Sequence, residues 1–215
     1  MITEREIIVK SSFGHSIKNY LLENEPGSDS LLVLFPGGAG ICEMPLLHYA
    51  REVALQLSCD VLNIEYGYVR TEQKMSLDEL FENIVDETIK ALNECKLTEY
   101  RQLLFLSKSF GTRIAAEIYN QLCYLPIRNL FLTPLEDIIP TISKSNCTVI
   151  IGDKDENFPD ITKISKMPNV DLHMFNNTAH SLEVKNDYKK SLEILGDICV
   201  IYEDFIGHCT LSSKK

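Results

Sequence analysis

Apolar and polar positions divide the chain into short, almost continuous apolar runs and longer stretches that are apolar on one side only. Runs such as 31–35 and 148–151 are typical of strands buried on both faces of a sheet. Stretches such as 76–95 repeat their apolar residues at the helical period. The pattern predicts eight strands, at 4–10, 16–23, 31–35, 60–64, 103–109, 129–132, 148–151 and 170–175, and four helices, at 44–58, 76–95, 111–122 and 186–205.

The order of these elements indicates an α/β fold. After a first hairpin, which turns at 13–15, strands and helices alternate along the chain. Because parallel strands need crossover connections, this alternation predicts a mostly parallel eight-stranded sheet with helices on both faces. No repeat or linker divides the chain, which predicts one domain over 1–206 and a frayed polar tail over 207–215.

The amino-acid composition indicates whether the fold needs disulfides or metal ions and whether zinc or redox chemistry is expected. The 215 residues are 45% hydrophobic, which is enough for a core without disulfides or metal ions. No C-x-x-C pair is present, so neither zinc nor redox chemistry is predicted. Most of the seven cysteines are expected to be small buried hydrophobes: 42, 59, 95, 123, 147, 199 and 209.

Charge and the first residues bear on partners and location. The net charge of −10 comes from scattered acidic residues, so neither nucleic acid nor an anionic membrane surface is expected as a partner. Residues 1–6 are charged where a secretory signal needs an apolar core, and no apolar run reaches the length of a membrane span. These features predict a cytoplasmic protein, while nothing in the pattern predicts an oligomeric state.

One apolar strand ends in a candidate nucleophile. The strand that begins at Leu103 stops abruptly at Ser109, and Gly111 starts the next helical stretch. This order is typical of a nucleophile elbow, in which a sharp strand-to-helix turn exposes a serine hydroxyl above the edge of the sheet. The G-x-S-x-G pattern of such turns is matched at Ser109 and Gly111, while Ser107 stands in place of the first glycine.

A serine nucleophile needs a nearby base and a third group that orients the base. Only His180 falls in a loop that directly follows a strand, where it can approach the serine. The alternative for His180 is an ordinary exposed loop residue. The other histidines are predicted in the first hairpin, a helix, a strand and the tail: His15, His48, His173 and His208.

The candidate orienting acids lie in the loop 152–156, after the preceding strand. Asp155 is further out on this loop and is the preferred acid. Asp153 directly follows the strand-ending glycine, where an aspartate commonly stabilises a turn through backbone hydrogen bonds. The role stays open between the two residues, and a solvated turn residue is the alternative for either.

An acyl-transfer reaction needs two backbone donors for the developing oxyanion. Phe110, directly after the candidate nucleophile, supplies one of them. The glycine-rich loop 36–40 supplies the other, from Gly38 because glycine allows close approach to a reacting carbonyl, or alternatively from Ala39.

Glycine-rich loops also bind phosphate, which offers another interpretation of 36–40. A dinucleotide fingerprint on Gly38 and Gly40 would require glycine at position 43, where the chain has glutamate. No P-loop lysine follows the loop, and Lys108 lacks the upstream glycines of that motif. Phosphate binding is therefore the less favoured interpretation.

Over residues 7–205 the chain resembles the α/β-hydrolase superfamily. The chain order Ser109, Asp155, His180, each after its expected strand, is similar to the order of nucleophile, acid and histidine in that superfamily. The second aspartate of the acid turn is the one that matches. The resemblance therefore implies that these three side chains form a catalytic triad.

Two short motifs add to this resemblance, and the chain departs from the superfamily pattern at two places. The runs GDKDE at 152–156 and AHSL at 179–182 look like the acid and histidine loops of the superfamily. The chain departs from the pattern at Ser107 and at 35–37, where FPG replaces the commoner His-Gly opening. Both departures keep small or rigid residues.

The resemblance implies a small serine hydrolase, without a cap domain, that cleaves a carboxylic ester or thioester through an acyl-enzyme intermediate. Such chemistry needs a small-molecule acyl substrate and no cofactor or metal ion.

The link between the sixth and seventh strands is short, at 133–147, and leaves room for one short helix. This predicts an open site for a small or accessible acyl group. Its walls are expected to include Tyr66, Tyr68, Phe110 and Phe158, and ordinary core or surface packing is the equal alternative for each of them. The alternative is a catalytically silent binding or scaffold protein with the same fold.

Overall fold

The computed structural model describes residues 1–70, 75–158 and 160–207. One sheet contains the strands β1 (Ile2–Lys10), β2 (Ser16–Asn24), β3 (Ser30–Phe35), β4 (Asp60–Asn63), β5 (Gln102–Lys108), β6 (Ile127–Leu132), β7 (Cys147–Gly152) and β8 (Val170–Phe175). The helices are α1 (Pro45–Gln56), α2 (Leu77–Asn93), α3 (Phe110–Gln121), α4 (Ile139–Ile142) and α5 (Tyr188–Gly207). Of the predicted tail, Gly207 belongs to α5, and 208–215, which include His208, lie outside the described residues.

The sheet is mixed, with the strand order β1-β2-β4-β3-β5-β6-β7-β8. β2 pairs antiparallel with both β1 and β4, whereas every pair from β4 across to β8 is parallel. The prediction of a mostly parallel eight-stranded sheet is thus confirmed. Since the carboxyl ends of the parallel strands share one edge, the loops after β3, β5, β7 and β8 come together there.

Alternate residues of the central strands face opposite layers of helices. In β3, Val33 and Phe35 belong to the core shared with α2 and α3, whereas Leu32 and Leu34 belong to the core shared with α1 and α5. All four side chains are completely buried. Burial on both faces explains why this run is continuously apolar, and the predicted helices on both faces are confirmed.

The link between β6 and β7 is short and close to the sheet. It contains a 3-10 turn, Glu136–Ile138, and the four-residue α4. Ile138 and Ile142 of this link pack into a cluster with Phe131 and Val149 of the sheet. No cap domain is inserted in this link, all of whose residues are described, as the sequence predicted.

The ends of the helices follow local chemistry. α2 begins directly after Ser76, which forms a capping box with Glu79. α5 begins at Tyr188 rather than at the predicted residue 186, because Asn186 has a φ of 61° that a helix does not accept. Across the described residues, no helix combines the length and the apolar character that crossing a bilayer requires.

Candidate active site

Ser109 lies in a strained turn between β5 and α3. Its φ of 53° and ψ of −122° form a conformation that is costly for any residue other than glycine. The Ser109 N–H donates to the Leu132 carbonyl at 3.0 Å, and the Ser109 carbonyl accepts from the Thr112 hydroxyl at 2.6 Å. These bonds hold the backbone on both sides of the turn and fix the position of the serine side chain.

The two small residues that flank the elbow have different surroundings. A Cβ at Gly111 would lie 2.3 Å from the Pro36 carbonyl oxygen, so only glycine lets α3 approach the end of β3 this closely. Ser107 occupies the position of the first glycine, within β5, and is completely buried. Its Oγ has no hydrogen-bond partner among the described residues, which costs stability. The fold therefore accommodates the extra side chain at position 107.

His180 connects Ser109 to Asp155. Its Nε2 lies 2.7 Å from Ser109 Oγ, and its Nδ1 lies 2.9 and 3.0 Å from the two carboxylate oxygens of Asp155. With the proton on Nδ1, the imidazole donates to Asp155 and accepts from the serine hydroxyl. The structure thus brings the three predicted side chains into one continuous chain of hydrogen bonds, although 71 positions separate Ser109 from His180.

Of the two candidate acids, Asp155 contacts the histidine. Its side chain is 0% exposed and also accepts from the backbone N–H of Asn157 at 3.0 Å. A buried carboxylate needs such partners, because an unpaired charge is expensive to remove from water. Asp153 is exposed on the same loop. Its backbone N–H donates to the Phe175 carbonyl at 3.0 Å.

The acid loop and the histidine loop are in tight contact, which fixes the distance between their side chains. The Lys154 N–H donates to the Thr178 carbonyl at 3.0 Å. A Cβ at Gly152 would lie only 2.2 Å from the same carbonyl oxygen. The glycine that ends β7 is therefore required for the two loops to approach each other.

The glycine-rich loop lies beside the elbow, since a Cβ at Gly37 would be 3.5 Å from Ser109 Cβ. The Gly40 N–H donates to the Gly37 carbonyl at 2.8 Å, and Gly40 has a φ of 70°. In a planar trans peptide the N–H of Gly38 points opposite to the Gly37 carbonyl, and therefore away from Gly40. Phe110 is the first residue of α3, where a helix offers its N–H no internal acceptor. Both predicted donors are thus backbone N–H groups close to the serine, one in the glycine-rich loop and one at the start of α3.

Two tyrosines anchor the glycine-rich loop. The Tyr66 hydroxyl donates to the Pro36 carbonyl at 2.9 Å, and the Tyr68 hydroxyl donates to the Gly38 carbonyl at 2.5 Å. Burial raises the pKa of Tyr68 to about 12 and raises the pKa of Tyr66 well above its usual range. Both hydroxyls therefore stay protonated and remain donors at neutral pH.

The expected open aromatic walls are mostly absent, which corrects the sequence interpretation. Tyr66, Phe110 and Phe158 are each no more than 3% exposed. The rings of Tyr66 and Phe110 pack edge to face with their centroids 6.4 Å apart. These aromatic residues support the site from the core, and of the four candidates only Tyr68 is partly exposed.

Lys108 is a site residue that the sequence analysis considered only as a phosphate-binding lysine. Its Nζ donates to the backbone carbonyl of His180 at 3.3 Å and to the Thr133 hydroxyl at 3.5 Å. Burial lowers the pKa of the Lys108 ammonium, although the charges of Asp155 and Glu183 act in the opposite direction. Its side chain therefore ties the elbow to the histidine loop. The only signal in the sequence is a lysine between two serines at the end of an apolar strand.

Cysteines and other metal-binding side chains do not converge on this site. Within the described ranges 1–70, 75–158 and 160–207, no group of three or more His, Cys, Asp or Glu residues is arranged to hold a metal ion. The prediction that most cysteines are buried holds for positions 42, 59, 95 and 147, while 209 lies outside the described residues. Burial raises the pKa of Cys95 to about 12 and that of Cys147 to about 11, so these thiols stay protonated.

Comparisons with known proteins find similar three-dimensional structures, whereas the sequence comparisons find no match. No protein-family model matches the chain, and no curated protein matches its sequence. A putative α/β hydrolase from Agrobacterium tumefaciens superposes with a TM-score of 0.72 at 13% identity, covering 97% of this chain and 98% of that one. An esterase from Pyrococcus furiosus gives a TM-score of 0.71 at 10% identity, with 96% and 93% covered. A dienelactone hydrolase from Anabaena variabilis gives 0.70 at 14% identity, with 96% and 98% covered.

These similarities cover 96 to 97% of this chain. Identities of 10 to 14% carry information about the fold and not about a shared substrate. The resemblance seen in the sequence is thereby confirmed at the level of structure: this chain has the α/β-hydrolase fold.

Proposed function

We propose that this protein is a serine hydrolase that cleaves a carboxylic ester or thioester. The observation that carries the proposal is the unbroken set of hydrogen bonds from Ser109 through His180 to the buried Asp155. A serine, an imidazole and a carboxylate in this order have the geometry that turns a weak hydroxyl nucleophile into a reactive one. Solved structures with the same fold include proteins named as esterases and hydrolases.

In the proposed reaction, Ser109 Oγ attacks the substrate carbonyl while His180 Nε2 takes the hydroxyl proton. The carbonyl oxygen becomes an oxyanion, for which the N–H groups of Phe110 and Gly38 are the proposed donors. The carbonyl-to-leaving-group bond then breaks, and His180 returns the proton to the departing alcohol or thiol. Water, activated by His180, hydrolyses the acyl-serine ester and regenerates the enzyme.

Asp155 and the loop anchors support these steps indirectly. Asp155 orients the imidazole and stabilises the positive charge that His180 carries after proton transfer. The hydrogen bond from Tyr68 to Gly38 holds the glycine-rich loop in place. A donor fixed before the reaction needs no reorganisation when charge develops, and this preorganisation is usually a large part of catalysis.

A fluorophosphonate probe tests the proposal directly, because it reacts covalently with an activated serine hydroxyl. We expect covalent labelling at Ser109 that is abolished in Ser109→Ala and reduced by about three orders of magnitude or more in His180→Ala, since triad members act as a unit. His173→Ala is the matched control. His173 also pairs with an aspartate, Asp171 at 3.0 Å, but makes no hydrogen bond to a serine among the described residues.

A catalytically silent binding protein with the same fold is the second candidate, and the buried Ser107 in the elbow is the observation that favours it. Absence of labelling in the folded protein, together with no hydrolysis of nitrophenyl esters, would support that candidate. Labelling in Ser109→Ala at the rate of the unmodified protein would contradict the assignment of the nucleophile.

A further inference from the structure

A groove of about 940 Å³ lies on one flank of the candidate active site. It is bounded by the start of α1, by the loop after His180 and by the start of α5. Its lining is mainly apolar and includes Met44, Pro45, Leu46, Leu182, Leu192 and Leu195. The size is near the upper end of the range of about 300–1,000 Å³ that is usual for small-molecule sites.

Large apolar side chains around this groove are exposed. Met44 is 52% exposed, Tyr188 71% and Leu192 61%. Single exposed apolar residues are common, but three that border one concave surface mark a binding site, because their contact with water is unfavourable. The charged residues of the same groove, Glu183 and Lys185 among them, are themselves exposed and so lie at its rim.

The groove is lined by the immediate chain neighbours of two proposed catalytic residues, and not by the catalytic side chains themselves. Lys108, which directly precedes Ser109, lines it, and so do Ala179 and Ser181 on the two sides of His180. The Lys108 stem reaches from the elbow to the His180 carbonyl across this region. A substrate whose carbonyl lies at Ser109 therefore has an apolar groove next to the elbow and the histidine loop.

We propose that this groove binds the acyl chain of the substrate, so that the enzyme prefers unbranched aliphatic acyl groups of medium length or longer. This inference rests on the proposed function and adds the substrate class to it. An apolar chain matches the lining and covers the exposed side chains of Met44 and Leu192. An acetyl group would leave most of the groove in contact with water.

Nitrophenyl esters of increasing acyl length test the preference. We expect kcat/KM to rise from acetyl to octanoyl by up to about fourfold per added methylene, the gain for a fully buried CH₂. Leu192→Asp should lower the octanoyl-to-acetyl ratio of kcat/KM at least about tenfold, because it places a charge beside the chain. Val200→Asp is the matched control, since Val200 lies on the same helix, is 56% exposed and does not line the groove.

Binding without catalysis separates this inference from the proposed function. Decanoate should bind the Ser109→Ala variant, measured by calorimetry, and Leu192→Asp in that background should weaken binding about tenfold while Val200→Asp leaves it unchanged. Binding without hydrolysis by the unmodified protein would retain the groove and reject the hydrolase. Hydrolysis with a flat chain-length profile, or no decanoate binding, would overturn the groove proposal and leave the hydrolase intact.

Discussion

Asp153 and Asp155 are identical in chemistry and two positions apart, yet their surroundings differ completely. Asp155 is buried and accepts hydrogen bonds from the Asn157 N–H and from the His180 imidazole, whereas Asp153 is exposed. A carboxylate that is buried without an opposite charge is destabilising unless it has a specific task or satisfied hydrogen bonds. The geometry therefore supports Asp155 as the orienting acid of the proposed reaction.

Paired substitutions at these two residues test that role. Asp155→Asn keeps the shape but places an amide beside His180 Nδ1, which favours the wrong tautomer. We expect kcat to fall by about 10³–10⁴-fold, as for the equivalent change in a serine protease. Asp153→Asn should leave kcat within about twofold, measured with a nitrophenyl ester. Equal losses in both variants would contradict the assignment of Asp155.

At the scale of elements, Gly111 of α3 and Gly196 of α5 have opposite surroundings. Gly111 lies in the first turn of α3, against the end of β3, where a Cβ would be 2.3 Å from a backbone oxygen. Gly196 lies inside α5, where a Cβ would meet nothing within 4 Å. The first glycine allows two elements to approach, and the second has no such role in the described contacts.

Alanine at these two positions should therefore change the free energy of unfolding in opposite directions. Gly196→Ala should raise the free energy of unfolding by about 0.5–1 kcal/mol, because alanine loses less entropy in a helix. Gly111→Ala should lower it by about 1–3 kcal/mol, since the backbone of β3 must move to avoid the new methyl group. Urea denaturation of both variants measures the change, and a destabilised Gly196→Ala with an unaffected Gly111→Ala would contradict the account.

The elements themselves were largely predictable, and the differences have local causes. The apolar runs predict all eight strands because burial on both faces removes polar positions from the central ones. β1 begins at Ile2 rather than at 4, because its exposed first residues pair with β2 through backbone bonds and leave no apolar pattern. α1 ends at Gln56 rather than at 58, where Ser58 has a φ of 59°.

At the scale of the whole molecule, the sequence predicts the order of the three proposed catalytic residues along the chain. It does not predict the contacts that hold these residues in place. A strand end places a residue at a known edge of the sheet, so Ser109, Asp155 and His180 follow from topology. The bond from Lys108 to the His180 carbonyl joins residues 72 positions apart and leaves no local pattern. The groove likewise combines the starts of α1 and α5, which only the complete fold brings together.

Lys108 also links the site to the stability of the whole molecule through pH. Its pKa is lowered by burial from the ordinary 10.5, so the folded state loses this proton at lower pH than the unfolded chain does. Between the lowered pKa and 10.5 the unfolded chain therefore binds more protons, and stability rises with pH through that window. Below the lowered pKa, the unfavourable burial of the ammonium is present in full.

Lys108→Met removes this titration while keeping an unbranched side chain. The difference in free energy of unfolding, variant minus unmodified protein, should be greatest at neutral pH and should decline as the pH approaches 10.5. Loss of the hydrogen bonds to His180 and Thr133 shifts this difference by a constant amount and does not change its dependence on pH. Urea denaturation at several pH values measures the difference, and Lys144→Met, which removes an exposed lysine, corrects for the change in net charge. A difference between Lys108→Met and the unmodified protein that does not vary with pH would show that the ammonium is not perturbed by burial.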